Sequence, residues 1–238
     1  IRPQRQMCIR DSFSSYTTKR AGEDCPAGDL KFKVVRKSGP YEGQELPAEV
    51  TIKRFANEDL NGVPEPFEEE SFSHEDSPEA AENVETVKPG AWFHDATELK
   101  ADGKSTVKAD IVPGETHVYK IKAEYGQKLR GGMKLVTAPD KELARISQLQ
   151  VRTLNSARQA ASSQESQSVS PPTEGQSVAF GHAARLNYRN MVGDGEEQPS
   201  DVAARTSWLD GDQYIVVFFN NSWGGGEHRD LSEVKNEA

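Results

Sequence analysis

Histidine, serine and glycine are the residue types in this chain whose spacing could indicate catalysis or metal binding. No two histidines form a His-x-His or His-x-x-x-His pair, so the spacing of a zinc site is missing. No Gly-x-Ser-x-Gly nucleophile elbow occurs, and the run Gly224–Gly226 lacks the lysine and hydroxyl residue of a phosphate-binding loop. The histidines are His74, His94, His117, His182 and His228. We therefore predict no catalytic residue, no metal site and no cofactor, hence a protein that is not an enzyme.

Acidic residues beside glycine offer a second kind of chemistry. The stretches "GDGEE" (Gly193–Glu197) and "LDGDQ" (Leu209–Gln213) carry oxygen ligands that could bind calcium weakly. Asp-Gly is also a turn signal, and the turn is the favoured interpretation. His94 beside Asp95 is the one suggestive His-acid pair, and we interpret it as a surface turn held by a side-chain hydrogen bond.

Large aromatic residues give the third possibility, because β-sandwich proteins that bind sugars present flat rings to the apolar faces of pyranoses. Trp223 lies in a polar, glycine-rich stretch and is the first candidate for such a contact. Tyr214 and Trp208 are the further candidates. Packing in the core is the alternative for Trp208 and for Trp92, since tryptophan usually buries most of its ring.

The charge distribution narrows the choice of partner. The net charge is −9, and Ala56–Glu85 contains eleven acidic residues with no lysine or arginine, which accounts for the whole acidic excess. No basic stripe is present to contact phosphates, so nucleic acid is excluded as a partner. A run of like charges with several prolines predicts a solvated linker, and calcium collection is the less favoured alternative.

Alternation with a period of two predicts strands at several places. "DLKFKVV", "PAEVTIKRF" and "THVYKIKAEY" alternate apolar with charged residues, and "SVAF", "ARLNYRN" and "YIVVFF" have similar lengths. Gly and Pro pairs separate them, among them the turn at Pro113-Gly114. The best helix candidate is the ambiguous "DKELARISQLQ". We predict an all-β protein, an antiparallel β-sandwich or jelly roll.

Residues 1–12 have no apolar period, and the patterns after them divide the rest of the chain into three segments. A similarity between "GDLKFKVVRKSG" and "GDQYIVVFFNNS" suggests two related sandwiches in tandem, although two unrelated hairpins could give the same match. Residues 156–175, rich in Ser, Gln and Pro, are predicted to be a disordered loop in the second sandwich. The segments are a fragment of a first sandwich (13–55), an acidic disordered linker (56–88) and a nearly complete second sandwich (89–238) whose last strand is missing.

The stretch Trp92–Leu129 resembles a β-rich region of actinobacterial cell-envelope proteins that are described as von Willebrand factor A domain-containing. The matching residues are "DATEL" (Asp95–Leu99), "PGET" (Pro113–Thr116), Tyr119 and "GQxL" (Gly126–Leu129). His94 stands where that pattern has Asn, and Tyr125 where it has Trp. The Asp-x-Ser-x-Ser metal motif of the A domain itself does not occur. "MCIRDS" (Met7–Ser12) resembles a translated sequencing adaptor, so we expect residues 1–12 to be non-native.

The resemblance implies an exported protein of the cell surface, with a signal peptide upstream and a membrane anchor downstream of this chain. We therefore expect a non-catalytic extracellular structural or interaction module, whose partner would be a cell-wall polysaccharide or another surface protein. A carbohydrate-binding module and an accessory β-domain of a secreted hydrolase or peptidase are the alternatives. Pairing of Cys25 with a cysteine upstream and a free thiol both remain open.

Overall fold

A computed structural model describes residues 49–50, 84–100, 105–112, 114–137, 147–160, 167–170, 172–182, 184–192 and 205–221. All the strands given below belong to one compact unit. Outside the described residues lie nearly all of the predicted first-sandwich strands and of the acidic linker, together with Cys25, the Gly193–Glu197 stretch and Trp223.

Strands dominate the described part, as the period-two alternation predicts; helix α1 has four residues (Arg189–Val192), and Arg205 and Thr206 are also helical. The strands are β1 Glu85–Thr86, β2 Thr97–Glu98, β3 Val107–Lys108, β4 Thr116–Ala123, β5 Arg130–Lys134, β6 Ser147–Leu154, β7 Gln167–Val169, β8 Ser177–Gly181 and β9 Gly211–Asn221. The prediction of an all-β protein is confirmed.

The main sheet has five strands in the order β2-β4-β9-β6-β7. Its β4/β9, β9/β6 and β6/β7 pairs are antiparallel, while the short β2 pairs with β4 in parallel. β5 and β8 form an antiparallel two-stranded sheet, and β1 and β3 a parallel one. The longer strands are antiparallel, as predicted, and the pairs β1/β3 and β2/β4, with two paired residues each, depart from that prediction.

The main sheet is buried on both faces. Val118 of β4 and Val216 of β9 belong to an apolar cluster on one face, and Tyr119 and Ile215 belong to a second cluster on the other. The second cluster includes Val178 of β8 and packs against side chains from the β5–β8 sheet and from the β3 region. Burial of a large apolar side chain stabilises a fold by about 1.5–3 kcal/mol, so the two clusters hold these layers together.

Two sequence interpretations change in the structure. Most of the helix candidate lies outside the described residues, and its last four residues, 147–150, belong to β6, where Leu149 pairs with β7 on one side and β9 on the other. "ARLNYRN" forms no strand. Instead the Asn187 side chain accepts a hydrogen bond from Arg189 N (2.9 Å), as an N-cap residue does at the start of a helix.

The predicted loop 156–175 also contains structure, because Gln167–Val169 forms β7 and extends the sheet beyond β6. Its side-chain composition is polar, and the pattern gives no signal of a strand. Backbone hydrogen bonding to a neighbouring strand orders this segment where composition alone predicts disorder.

The Pro-Gly-Glu turn has the predicted backbone. Glu115 N donates to Val112 O (3.0 Å), and Gly114 has φ +91°. A positive φ at the third turn position is the signature of a type II turn, which favours glycine. The Glu115 carboxylate also accepts a hydrogen bond from Val112 N (3.0 Å), so the motif's charged residue closes its own turn.

Candidate functional site

Two of the three predicted contact residues lie inside the protein. Trp208 is 6% exposed and Tyr214 is 7% exposed, and Trp208 Nε1 donates to the Gln159 side-chain oxygen (3.2 Å). The Tyr214 ring meets the Phe93 ring edge to face, with centroids 5.1 Å apart. Trp208 and Tyr214 would need exposed rings to contact a ligand directly. Because the structure buries both rings, we interpret them as packing residues beneath the surface. Trp223 lies outside the described residues.

A tight turn after β6 is built around Asn155. This side chain is fully buried, and its Oδ1 accepts hydrogen bonds from Ala157 N (2.9 Å) and Gln159 N (3.0 Å). Its Nδ2 donates to Gln159 Oε1 and to Thr206 O, each at 2.8 Å. Asn155 therefore satisfies the buried backbone of the turn and ties it to the segment that carries Trp208.

The turn presents Arg158 in an unusual backbone conformation. Arg158 has φ +64°, and among the described residues it is the only non-glycine residue with positive φ. For an L-residue this region costs about 1 kcal/mol or more. Its guanidinium carbon lies 4.2 Å from the centroid of the half-buried Phe93 ring. The conformation therefore places a cation over an aromatic face, which is a favourable electrostatic contact.

A second arginine lies over an aromatic ring on the same face of the main sheet. Arg152 of β6 lies 5.5 Å from the centroid of the Phe218 ring on β9, and both side chains are half-buried. Arg152 Nε is buried and has no hydrogen-bond partner among the described residues. We call the surface formed by Phe93, Arg152, Arg158 and Phe218 the arginine–aromatic face.

Backbone and side-chain hydrogen bonds fix the segment before β2, which carries Phe93. Trp92 N donates to Asp95 Oδ1 (2.6 Å), which closes the turn around His94. Gly90 lies against β4, where Val118 N donates to Gly90 O (2.8 Å). Asp95 makes a side-chain hydrogen bond of the kind that the surface-turn interpretation predicts.

The ionisable groups near the sheet favour their neutral forms where they are buried. His117 lies in β4, and burial lowers its pKa, although the Glu115 carboxylate 3.4 Å from Nε2 acts in the opposite direction. Burial also raises the pKa of Tyr119. Among the described residues no three His, Cys, Asp or Glu side chains cluster as metal ligands would. No described helix is long and apolar enough to cross a membrane.

The arginine–aromatic face can hold a ligand by hydrogen bonds, charge and ring contact. A guanidinium is a rigid donor for carboxylate, phosphate and hydroxyl oxygens, and Arg and aromatic residues are enriched where proteins bind partners. The sequence does not single out Phe93, because tryptophan is the more common residue for stacking against sugars. It does not single out Arg158 either, because that residue lies in the predicted disordered loop. The "NSAR" turn, which begins with Asn, is the one available signal.

Comparison with known proteins finds no family model, no curated protein and no solved structure that matches this chain.

Substituting Arg158 tests the backbone conformation directly. We expect Arg158→Gly to unfold with a free energy about 1 kcal/mol higher than Arg158→Ala, because glycine adopts φ +64° without the steric cost that alanine keeps. Urea denaturation of the two variants side by side measures the difference. Both variants lack the guanidinium, so the cation–ring contact cancels in the comparison. Equal stability of the two would show that the turn does not hold positive φ in solution.

Proposed function

We propose that this chain is a non-catalytic, extracellular structural or interaction module of a cell-surface protein, and that it binds its partner at the arginine–aromatic face. The observation that carries the proposal is the pair of guanidinium–ring contacts, at 4.2 Å and 5.5 Å, on one face of one sheet. Export and anchoring rest on the family resemblance of Trp92–Leu129.

The residues that carry the resemblance support a scaffold role. Asp95, Glu115 and Gln127 each accept a hydrogen bond from a backbone N–H three residues earlier in the chain. The Thr97 hydroxyl donates to Lys88 O (2.8 Å). These polar side chains form hydrogen bonds that stabilise turns. Such a structural role is expected in a binding module that does not catalyse a reaction.

The layered packing supports the sandwich part of the proposal. The β5–β8 sheet contributes Val178 and Met133 to the cluster beneath Tyr119 and Ile215, as the second layer of a sandwich does. The arginine–aromatic face lies on the opposite side of the main sheet. We propose that one side of the sheet is used for folding and the other side for recognition.

Two alternatives remain as second candidates. A carbohydrate-binding module is favoured by the half-buried Phe93 and Phe218 rings on one sheet face, next to arginine donors suited to sugar hydroxyls. The buried Tyr214 between them departs from the exposed row of rings that this alternative predicts. An accessory β-domain of a secreted hydrolase would present the same face to a neighbouring catalytic domain.

A binding assay tests the proposed surface. The probe is an insoluble cell-wall polysaccharide preparation from an actinobacterium, mixed with the full chain and sedimented. We expect the parent protein to sediment, and Arg158→Gly and Arg152→Gln each to raise the dissociation constant at least about tenfold, since a lost charge-assisted hydrogen bond costs about 1.5–3 kcal/mol. Binding should also weaken between low and high salt.

The matched control is Arg130→Gln, which removes one positive charge from an exposed position on β5, in the β5–β8 sheet. It should bind as the parent does. Equal loss in all three variants would indicate a nonspecific charge effect, and no loss in any of them would reject the arginine–aromatic face. Absence of sedimentation by the parent would reject cell-wall polysaccharide and leave a surface protein as partner.

A further inference from the structure

The β5–β8 sheet is fastened at one end by a histidine side chain. His182 directly follows β8, and its backbone N donates to Leu129 O (3.0 Å), just before β5. In return Leu129 N donates to His182 Nδ1 (3.3 Å), in the place where a strand pair would use a backbone carbonyl. Because Nδ1 accepts this hydrogen bond, the neutral imidazole carries its proton on Nε2.

The imidazole is enclosed. His182 is 0% exposed, and its Nε2 has no hydrogen-bond partner of good geometry among the described residues. Gln213 of β9, also 0% exposed, presents its amide to the ring, while Gln213 Nε2 donates to Leu209 O (2.9 Å) and to Gly211 O (3.2 Å). A charged imidazolium here would lack water and lose the one hydrogen bond that the neutral ring accepts.

Steric fit makes the fastening tight. A Cβ added to Gly181 would lie 2.4 Å from Leu129 O, so the two chain segments already approach as closely as glycine permits. The close packing therefore leaves no space in which the backbone could adjust to a local change at the imidazole.

We propose that His182 is an acid-sensitive latch: a proton taken up at Nδ1 replaces the hydrogen bond from Leu129 N with a repulsive N–H pair and separates the start of β5 from the end of β8. The step is a simple proton transfer from solvent and needs no other reactant. It is independent of the arginine–aromatic face, which lies on the other side of the main sheet.

The electrostatics of the site agree with this geometry. Burial lowers the pKa of His182 from 6.5 to about 4, the Gln213 side chain acts in the opposite direction, and the charge of Lys128 lowers the pKa further. β8 itself has no ionisable residue, and the Tyr119 phenol in the cluster beneath it stays neutral because burial raises its pKa. In the closed state the ring binds a proton less readily than in the open state. Closure is thus fully stabilised above pH 6.5 and is weakened as the pH falls from 6.5 towards 4.

Amide hydrogen exchange on the full chain tests the latch. After correction for intrinsic rates, we expect protection of the Leu129 amide to fall by about 40-fold between pH 6.5 and pH 4.5. Amides that join β4 to β9 should change much less. His182→Asn is the matched variant, because its side-chain oxygen can accept from Leu129 N and does not titrate, and its Leu129 amide should lose little protection over the same range.

A second measurement keeps the test decisive if that variant does not fold. The imidazole ¹⁵N shifts of the parent protein should show a proton on Nε2 at pH 7 and a titration far below 6.5. An ordinary titration near 6.5, or equal loss of Leu129 protection in the parent and in His182→Asn, would overturn the proposal.

Discussion

Asn155→Ala is expected to lower the free energy of unfolding by about 4 kcal/mol, a large part of the 5–15 kcal/mol that stabilises a typical domain. The substitution removes four hydrogen bonds of a fully buried side chain. Two backbone N–H groups, those of Ala157 and Gln159, then lose their acceptor, and each buried unpaired group costs about 1–3 kcal/mol. Urea denaturation followed by circular dichroism measures the loss.

Gln176→Ala is the control for this prediction. The Gln176 side chain also accepts two hydrogen bonds, both from Thr173, but it is exposed, so water replaces the lost acceptor. We expect its free energy of unfolding to change by less than about 1 kcal/mol. If the two variants lose similar amounts, the turn after β6 is open to water in solution.

Gly90→Ala is expected to cost about 3 kcal/mol and to weaken partner binding at the same time. A Cβ at this position would lie 2.3 Å from Asp95 O and 2.8 Å from Ala96 Cα, and both are backbone atoms that cannot rotate away. The segment that carries Phe93 must therefore move off β4, as overpacked positions do when they shift the backbone. Thermal unfolding reports the stability, and polysaccharide sedimentation reports the displacement of Phe93.

Gly175→Ala separates this steric effect from backbone strain. Gly175 has φ +79°, but a Cβ added there would have nothing within 4 Å, so alanine meets only the conformational cost of about 1 kcal/mol. Its binding should equal that of the parent protein. A larger loss at Gly175 than at Gly90 would contradict the close contact between Gly90 and the backbone of residues 95–96.

The strands are predictable wherever the chain itself alternates. β4, β8 and β9 lie where "THVYKIKAEY", "SVAF" and "YIVVFF" predict them, and Gly114 has the positive φ that a Pro-Gly turn requires. Period-two alternation is a local property, so the sequence carries it directly. Burial is less predictable. Alternation places Val118 on the lysine-bearing face of β4, yet it is 2% exposed because it packs in a cluster with Ala96, to which Phe93 adds its ring.

The candidate site depends on contacts that no local pattern reports. Arg158 and Phe93 are 65 positions apart in the numbering, and they meet because the turn after β6 and the segment before β2 pack on the same face of the main sheet. In the sequence His182 is only a histidine without metal spacing. Its role follows from Leu129, which a different strand brings to it. Long-range pairing therefore decides which polar residues gain a function, while alternation decides only which segments become strands.

Within the part of the chain that the structure describes, the outer strands of the main sheet are very short, two residues in β2 and three in β7. A long, flat outer strand would offer a row of unpaired amides and carbonyls on which a neighbouring molecule could polymerise. Two or three residues give too short a template for such growth. We therefore expect this sheet to resist edge-to-edge assembly into fibres even when many copies lie side by side.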